Sequence, residues 1–75
     1  MRVEFQSNTT KVKQLADALR QAIAQGEYKE GEMLPSINKL SAELNLARDT
    51  VFKAFQELKL SGAIQSAPTK GYYVS

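Results

Sequence analysis

The side chains best suited to binding a charged partner are concentrated in the second half of this sequence. Residues 1–35 carry five basic and five acidic side chains, whereas residues 36–75 carry five basic and three acidic ones, so the net charge of +2 belongs to the second half. Lys and Arg neutralise phosphates, and an excess of them marks the region where we expect a polyanion to bind. The alternative interpretation is a solvated surface with an uneven distribution of charge.

Arg48 is the residue with the most specific potential chemistry. A guanidinium at the start of a helix can donate two parallel hydrogen bonds to O6 and N7 of guanine, while the free N–H groups of the helix end attract phosphate. The alternative is a surface ion pair with Asp49 or Glu43, which contributes only about 0 to 1 kcal/mol of stability. Asp49 could itself accept a hydrogen bond from N4 of cytosine or orient Arg48. We therefore interpret Arg48 as the residue that recognises a base.

Several other polar residues complete a candidate binding surface. Thr50 and Lys53 could reach backbone phosphates, which fixes the register of a protein on nucleic acid rather than its sequence preference. An ordinary first-turn role is the alternative for Thr50. Lys70 beside Gly71 could contact phosphate or a minor groove from a loop, or simply add charge to that loop. Three aromatic side chains are expected to pack or to form interfaces rather than to stack on bases: Phe52, Tyr72 and Tyr73.

Enzymatic and membrane functions find no support in the composition. The 75 residues contain no Cys and no His, which removes thiolate and imidazole metal ligands, disulfides and the usual general base. No apolar run approaches the roughly 18 residues of a membrane span, and residues 1–10 lack the apolar core of a signal peptide. We therefore expect one small cytoplasmic domain that is not an enzyme, contacts no membrane and holds no cofactor or metal.

The first predicted helix covers residues 11–25, where apolar side chains recur at steps of three and four. Thr9 or Thr10 can cap its start through a side-chain oxygen, and Gly26 can adopt the left-handed conformation that ends it. Residues 33–34 are then expected to form a very short extended piece, because the proline that follows disfavours helix at the residue before it.

Two further helices are predicted on either side of a tight turn. The second runs from about Ile37 to Leu44 and is capped by Ser36, and the third begins near Arg48 and ends at Gly62. A helix-turn-helix requires an apolar residue, then a small one where the helices touch, then a turn-tolerant one and then three apolar ones. The six positions that meet this requirement in order are Leu40, Ser41, Asn45, Leu46, Val51 and Ala54. A plain helical hairpin can imitate this block, so the elements around it decide the interpretation.

A β-hairpin is predicted after the third helix. Residues 63–66 and 72–74 are the two strands, and the loop between them, residues 67–71, contains Pro and Gly. Helix, short strand, helix, turn, helix and hairpin is the order of a winged helix-turn-helix. We therefore predict this fold, mainly α with a small β-hairpin, over residues 11–75 after a lead-in of residues 1–10.

The sequence resembles the DNA-binding head of the GntR family of bacterial regulators over about residues 11–74. The resemblance is carried by residues 31–36, Leu40, Ser41, Leu44, residues 48–51, Leu58, Gly62 and residues 70–74. It implies a symmetric homodimer that places the start of each third helix in the major groove of double-stranded operator DNA and each hairpin tip towards the minor groove. It also implies a C-terminal domain that binds a small-molecule effector. We expect that domain in a longer protein, because this chain stops just after the last strand.

Matched position by position, the resemblance extends the set of candidate DNA contacts. Ser36 would cap the second helix and touch phosphate. Asn38 stands where many relatives have a DNA-contacting Arg. Together with the residues argued from their chemistry, the DNA-binding candidates are Ser36, Asn38, Arg48, Asp49, Thr50, Lys53, Lys70 and Gly71.

The chain also departs from the family pattern near these candidates. Ala47 stands where relatives often have a capping Ser or Thr, Asp49 puts a negative charge close to DNA, and Thr69 takes a position that is often Gly. These departures bear on which bases are recognised rather than on the fold. The alternative to DNA binding is a protein-interaction module in which the third helix contacts a partner protein, and the salt dependence of binding distinguishes the two.

Overall fold

The computed structural model describes residues 10–68 and 71–75, which form three helices followed by an antiparallel hairpin. The helices are α1 (Lys11–Ala24), α2 (Ile37–Leu44) and α3 (Arg48–Leu60), and the strands are β1 (Ile64–Ala67) and β2 (Gly71–Val74). α3 is the central element, because it contacts α1, α2 and β1. This arrangement confirms the predicted winged helix-turn-helix fold, mainly α with a small β-hairpin.

Side-chain caps fix where α1 and α2 begin. Thr10 Oγ1 accepts a hydrogen bond from the Lys13 N–H at 3.1 Å, and Ser36 Oγ accepts one from the Lys39 N–H at 3.0 Å. Gly26 follows the end of α1 with a φ of +85°, a left-handed conformation that glycine adopts at little cost. The predicted caps and the predicted end of the first helix are thus confirmed.

A tight turn between α2 and α3 sets the angle between the two helices. Asn45 adopts the left-handed conformation, with φ 54° and ψ 48°, which an Asn side chain tolerates. The Leu46 N–H then donates to the Ser41 carbonyl at 3.1 Å, and the Ser41 hydroxyl donates to the Leu46 carbonyl. Because Leu46 is also buried, the turn is held by both hydrogen bonds and packing, as the helix-turn-helix pattern predicts.

The hydrophobic core lies between the three helices and the base of the hairpin. Its largest fully buried side chains are Leu15, Leu19, Leu40, Val51, Phe55, Leu58 and Ile64. Phe55 and Tyr72 form an edge-to-face aromatic contact, with ring centroids 4.8 Å apart and an interplanar angle of 68°. This pair connects α3 to β2, so the hairpin is held against the helix that carries most of the candidate contacts.

A third extended segment anchors the hairpin to the helical body. Residues 31–34 run along β2, where Met33 forms an isolated antiparallel bridge with Tyr73 and the Leu34 N–H donates to the Tyr72 carbonyl at 2.9 Å. These contacts confirm the short extended piece predicted before the proline. They also fix the base of the hairpin relative to the start of α2.

Both hairpin strands extend one residue further towards the loop than the sequence predicts. Ala67 pairs with Gly71 at the end of the ladder, although both residues were expected in the loop. Gly71 has a φ of +110°, a conformation that residues with a Cβ atom rarely adopt, and this allows β2 to start directly after the turn. The loop is therefore reduced to residues 68–70. Thr69 and Lys70 lie outside the described residues, so the predicted contact of Lys70 at the hairpin tip lies outside them too.

The start of α3 gives a stability prediction, because its N-cap residue has no side-chain acceptor. Ala47 has φ −63° and ψ 144°, close to the capping Ser36 at φ −67° and ψ 161°. A serine at position 47 can therefore accept a hydrogen bond from the Thr50 N–H. We expect Ala47→Ser to raise the free energy of unfolding by about 1 kcal/mol, measured by urea denaturation. Ala47→Val adds bulk without an acceptor and is the matched control. Equal stability of the two variants would contradict this explanation.

Candidate nucleic-acid interface

The candidate contacts on the helices lie at two adjacent helix starts. Ser36 is the N-cap of α2, and Asn38 lies in the first turn of the same helix. The candidates on α3 occupy its first two turns and are Arg48, Asp49, Thr50 and Lys53. All six side chains are exposed except that of Thr50, which is half-buried, and Gly71 is exposed at the start of β2. The fold therefore presents polar side chains from both helices of the helix-turn-helix to solvent.

A hydrogen bond joins the two helix starts. Arg48 Nη1 donates to Asn38 Oδ1 at 3.3 Å, across ten residues of sequence. The acceptor is a neutral amide, so this contact leaves the positive charge of Arg48 uncompensated. It also engages only one of the five N–H donors that a guanidinium carries. Among the described residues no ion pair joins Arg48 to Asp49 or Glu43, so Arg48 is oriented while its charge remains available to a ligand.

Asp49 is paired with a residue other than Arg48. Lys53 Nζ lies 3.1 Å from Asp49 Oδ2, one helical turn further along α3, and both side chains are mostly exposed. An exposed pair of this spacing on a helix contributes only about 0.3 to 0.5 kcal/mol. Lys53 can therefore exchange the carboxylate for a phosphate at little cost. Asp49 is in that case free to accept a hydrogen bond.

The backbone at the start of α3 adds positive potential to this surface. The first N–H groups of any helix lack partners within the helix, and Ala47 supplies no side-chain acceptor for them. Together with the helix dipole, such N–H groups attract anions. Arg48 stands at the same helix end, so a phosphate near it meets both the guanidinium and the backbone donors.

Phe52 is an exposed aromatic residue on the same side of α3 as Arg48. It follows Arg48 by four residues, or about one turn, and 44% of its surface is exposed. Phe52 is expected to pack or to form an interface, and its exposure means that packing covers only part of the side chain. The signal in the sequence was the buried stripe of α3, which excludes position 52 and consists of Val51, Ala54, Phe55 and Leu58.

The two tyrosines of β2 have the packing roles that were predicted for them. Tyr72 is half-buried against Phe55, and its hydroxyl accepts a hydrogen bond from Gln56 Nε2 at 3.1 Å. The Tyr73 hydroxyl donates to Gln65 Oε1 on β1 at 3.0 Å. The first of these contacts ties the hairpin to the second half of α3, and the second ties the two strands together.

The charged groups of the described residues all lie on the surface. Within residues 10–68 and 71–75 no polar or charged side chain is buried. The same residues contain no group of three or more His, Cys, Asp or Glu side chains placed to hold a metal ion. In this described part of the chain, no helix is both long enough and apolar enough to span a bilayer.

Comparison with known proteins finds relatives that match nearly the whole chain. Residues 11–74 match the family model of bacterial regulatory proteins, gntR family. The mannosyl-D-glycerate transport/metabolism system repressor MngR of Escherichia coli K12 is 37% identical over 62 residues, which are 83% of this chain and 26% of MngR. The solved structure of YtrA from Sulfolobus acidocaldarius, a GntR-family transcription factor, is 36% identical with a TM-score of 0.88. That match covers 99% of this chain and 78% of YtrA.

Another similar structure contains an operator. The DNA-binding domain of AraR, solved in complex with operator ORX1, is 25% identical to this chain and superposes with a TM-score of 0.89. The match covers 100% of this chain and 96% of the AraR domain. In contrast, this chain spans between 11% and 26% of the length of four curated bacterial regulators that it matches. It therefore corresponds to only one part of those longer proteins.

Proposed function

The chain belongs to the gntR family of bacterial regulatory proteins, and on this premise we propose that it binds double-stranded operator DNA in a sequence-specific way. The first two turns of α3 enter the major groove, and the tip of the hairpin reaches towards the minor groove. The observation that carries the proposal is the exposed Arg48 at the start of α3, oriented by the neutral Asn38 and not by a carboxylate. The similarity to the operator-bound AraR domain supports the same class of partner.

The candidates on α3 divide into base contacts and phosphate contacts. Arg48 donates to O6 and N7 of guanine, and Asn38 holds its guanidinium from the side of α2. Lys53 and Thr50 donate to backbone phosphates, which fix the register of the helix in the groove. Asp49, once released by Lys53, accepts a hydrogen bond from N4 of cytosine.

Two further contacts extend the interface beyond α3. Ser36 caps α2 and donates its hydroxyl hydrogen to phosphate, since its oxygen already accepts from the Lys39 N–H. Lys70 and Gly71 form the contact at the hairpin tip, where the ammonium neutralises phosphate and glycine allows the backbone to come close to the DNA.

A second copy and an effector domain complete the proposed regulator. Two recognition helices reach successive major grooves, about 34 to 36 Å apart, when the protein is a symmetric homodimer on two half-sites. A small-molecule effector, bound by a C-terminal domain of the full-length protein, controls DNA binding. The name of MngR, the mannosyl-D-glycerate transport/metabolism system repressor, supports a role in repression. Because such a regulator acts on chromosomal DNA, the protein works in the cytoplasm.

The salt dependence of binding tests this function against its alternative, a protein-interaction module. Each phosphate neutralised by Lys or Arg releases counterions, so log Kd should rise with log salt concentration by about 0.9 per contact. We expect a steep slope for duplex DNA, measured by fluorescence anisotropy between low and physiological salt. Affinity for duplex DNA that does not change with salt, or no binding at all, would favour the protein-interaction module.

Lys70→Ala gives a residue-level version of the same test. We expect this variant to bind all sequences more weakly and to reduce the salt slope by about one unit, because Lys70 contacts phosphate and no base. The matched control is Lys29→Ala. Lys29 precedes Gly31, which pairs with Val74 at the opposite end of the hairpin from the tip. A loss confined to one base position, or an equal loss in both variants, would contradict the assignment of Lys70.

A further inference from the structure

We propose that Phe52 is a specificity-determining residue that contacts the C5 methyl group of a thymine in the major groove. The inference rests on the proposed DNA binding, and it goes beyond it by naming a further base, thymine, and the side chain that recognises it. Phe52 is apolar, whereas the other candidate contacts on α3 are polar or charged, so it selects a different feature of the DNA.

The position of Phe52 on α3 is the first argument. Arg48 and Phe52 are four residues apart and therefore lie on the same side of the helix, about 6 Å apart along its axis. The hydrogen bond to Asn38 holds the Arg48 guanidinium beside the start of α2. When α3 lies in the groove with Arg48 on a guanine, the Phe52 ring lies within one or two base pairs of it.

The exposure of Phe52 is the second argument. The large apolar side chains with substantial exposure in the described residues are Met33, Phe52 and Leu60. Met33 lies against the hairpin, with its Cε close to Gly71. Leu60 lies at the far end of α3, beside a groove shared with α1. Phe52 is thus the member of this set that lies among the candidate DNA contacts on α3.

The chemistry of the bases gives the third argument. In the major groove thymine presents a C5 methyl group beside its O4 acceptor, whereas adenine, guanine and cytosine present polar donors and acceptors and no methyl group. An aromatic ring gains apolar contact with the methyl group of thymine and has no hydrogen-bonding group with which to satisfy the polar groups of the other bases. We therefore expect Phe52 to select a thymine close to the guanine that Arg48 recognises.

Replacement of thymine by deoxyuridine tests the contact, because it removes only the methyl group. The duplex is first selected from a random pool with the wild-type protein, and each thymine of one half-site is then replaced in turn. For the wild type we expect about a fourfold loss of affinity at one thymine within two base pairs of the Arg48-dependent guanine, as burial of one methyl group predicts. Phe52→Ala should bind the thymine and deoxyuridine duplexes equally.

Two further variants separate the methyl contact from general effects of the substitution. Phe52→Leu keeps an apolar side chain and should retain part of the thymine preference. Leu60→Ala, which removes the exposed side chain at the other end of α3, should retain all of it. Thermal unfolding of each variant establishes that α3 is intact.

Two results would overturn the inference. The wild type could show no methyl-dependent position, or the methyl preference could survive in Phe52→Ala, which then loses affinity equally for both duplexes or for neither. An equal loss for both duplexes would assign the ring to a contact other than the thymine methyl group. If no sequence is enriched from the pool in the first place, the proposed function itself fails, and that outcome is distinct from the other two.

Discussion

Arg48→Ala is expected to weaken binding to the selected operator by about 1 to 3 kcal/mol, roughly 5- to 150-fold in Kd, while leaving the fold intact. The truncation removes both donors that recognise O6 and N7 of guanine, and no other described residue at the start of α3 offers a guanidinium. Stability should change little, because Arg48 is exposed and its described partner is the neutral Asn38 at 3.3 Å.

The measurement is a comparison of operator affinity and sequence preference for the variant and a matched control. Arg20→Ala removes the same side chain from α1, where Arg20 Nη1 lies 2.9 Å from Asp17 Oδ1 in an exposed pair. We expect this control to keep both the affinity and the preference. An unchanged footprint and an unchanged base preference for Arg48→Ala would show that another residue recognises the base.

Phe55→Ala is expected to have the largest effect on stability, a loss of about 3 to 5 kcal/mol. Phe55 has no exposed surface, and its ring meets Tyr72 of β2 with centroids 4.8 Å apart. The substitution therefore opens a cavity at the junction between α3 and the hairpin. Folded domains are stable by only about 5 to 15 kcal/mol, and small ones lie at the lower end, so this variant should be largely unfolded at physiological temperature.

Urea denaturation followed by circular dichroism measures this loss directly. Leu60→Ala is the matched control on the same helix, because Leu60 is 88% exposed and its truncation should change stability by no more than about 0.5 kcal/mol. A Phe55→Ala variant within about 1 kcal/mol of the wild type would mean that the pair with Tyr72 does not hold the hairpin to α3.

The elements that depend on residues close together in the chain were predictable from the sequence. A hydroxyl at each of Thr10 and Ser36 is followed three residues later by the N–H it caps, so the starts of α1 and α2 depend on contacts within one turn. Asn45 tolerates the left-handed conformation that the turn requires. The buried stripes of α1 and α3 follow from helical periodicity alone, and for this reason the fold class and the order of elements were both correct.

The features that were not predicted depend on distant parts of the chain. The Arg48–Asn38 hydrogen bond spans ten residues, and its formation depends on the angle between α2 and α3 and on side-chain conformation. The partial exposure of Phe52 depends on how the rest of the chain packs around α3. The pairing of Ala67 with Gly71 depends on the shape of the hairpin turn, which composition alone does not specify.

Selection of bound duplexes from a random pool, carried out in parallel with the wild-type protein and Arg48→Ala, tests the central claim most directly. The wild type should enrich one motif that contains an invariant guanine in each half-site, and Arg48→Ala should lose the preference for that guanine while keeping weaker binding to DNA of any sequence. Failure of the wild type to enrich any motif would contradict the account. So would enrichment of the same motif, with the same guanine, by both proteins.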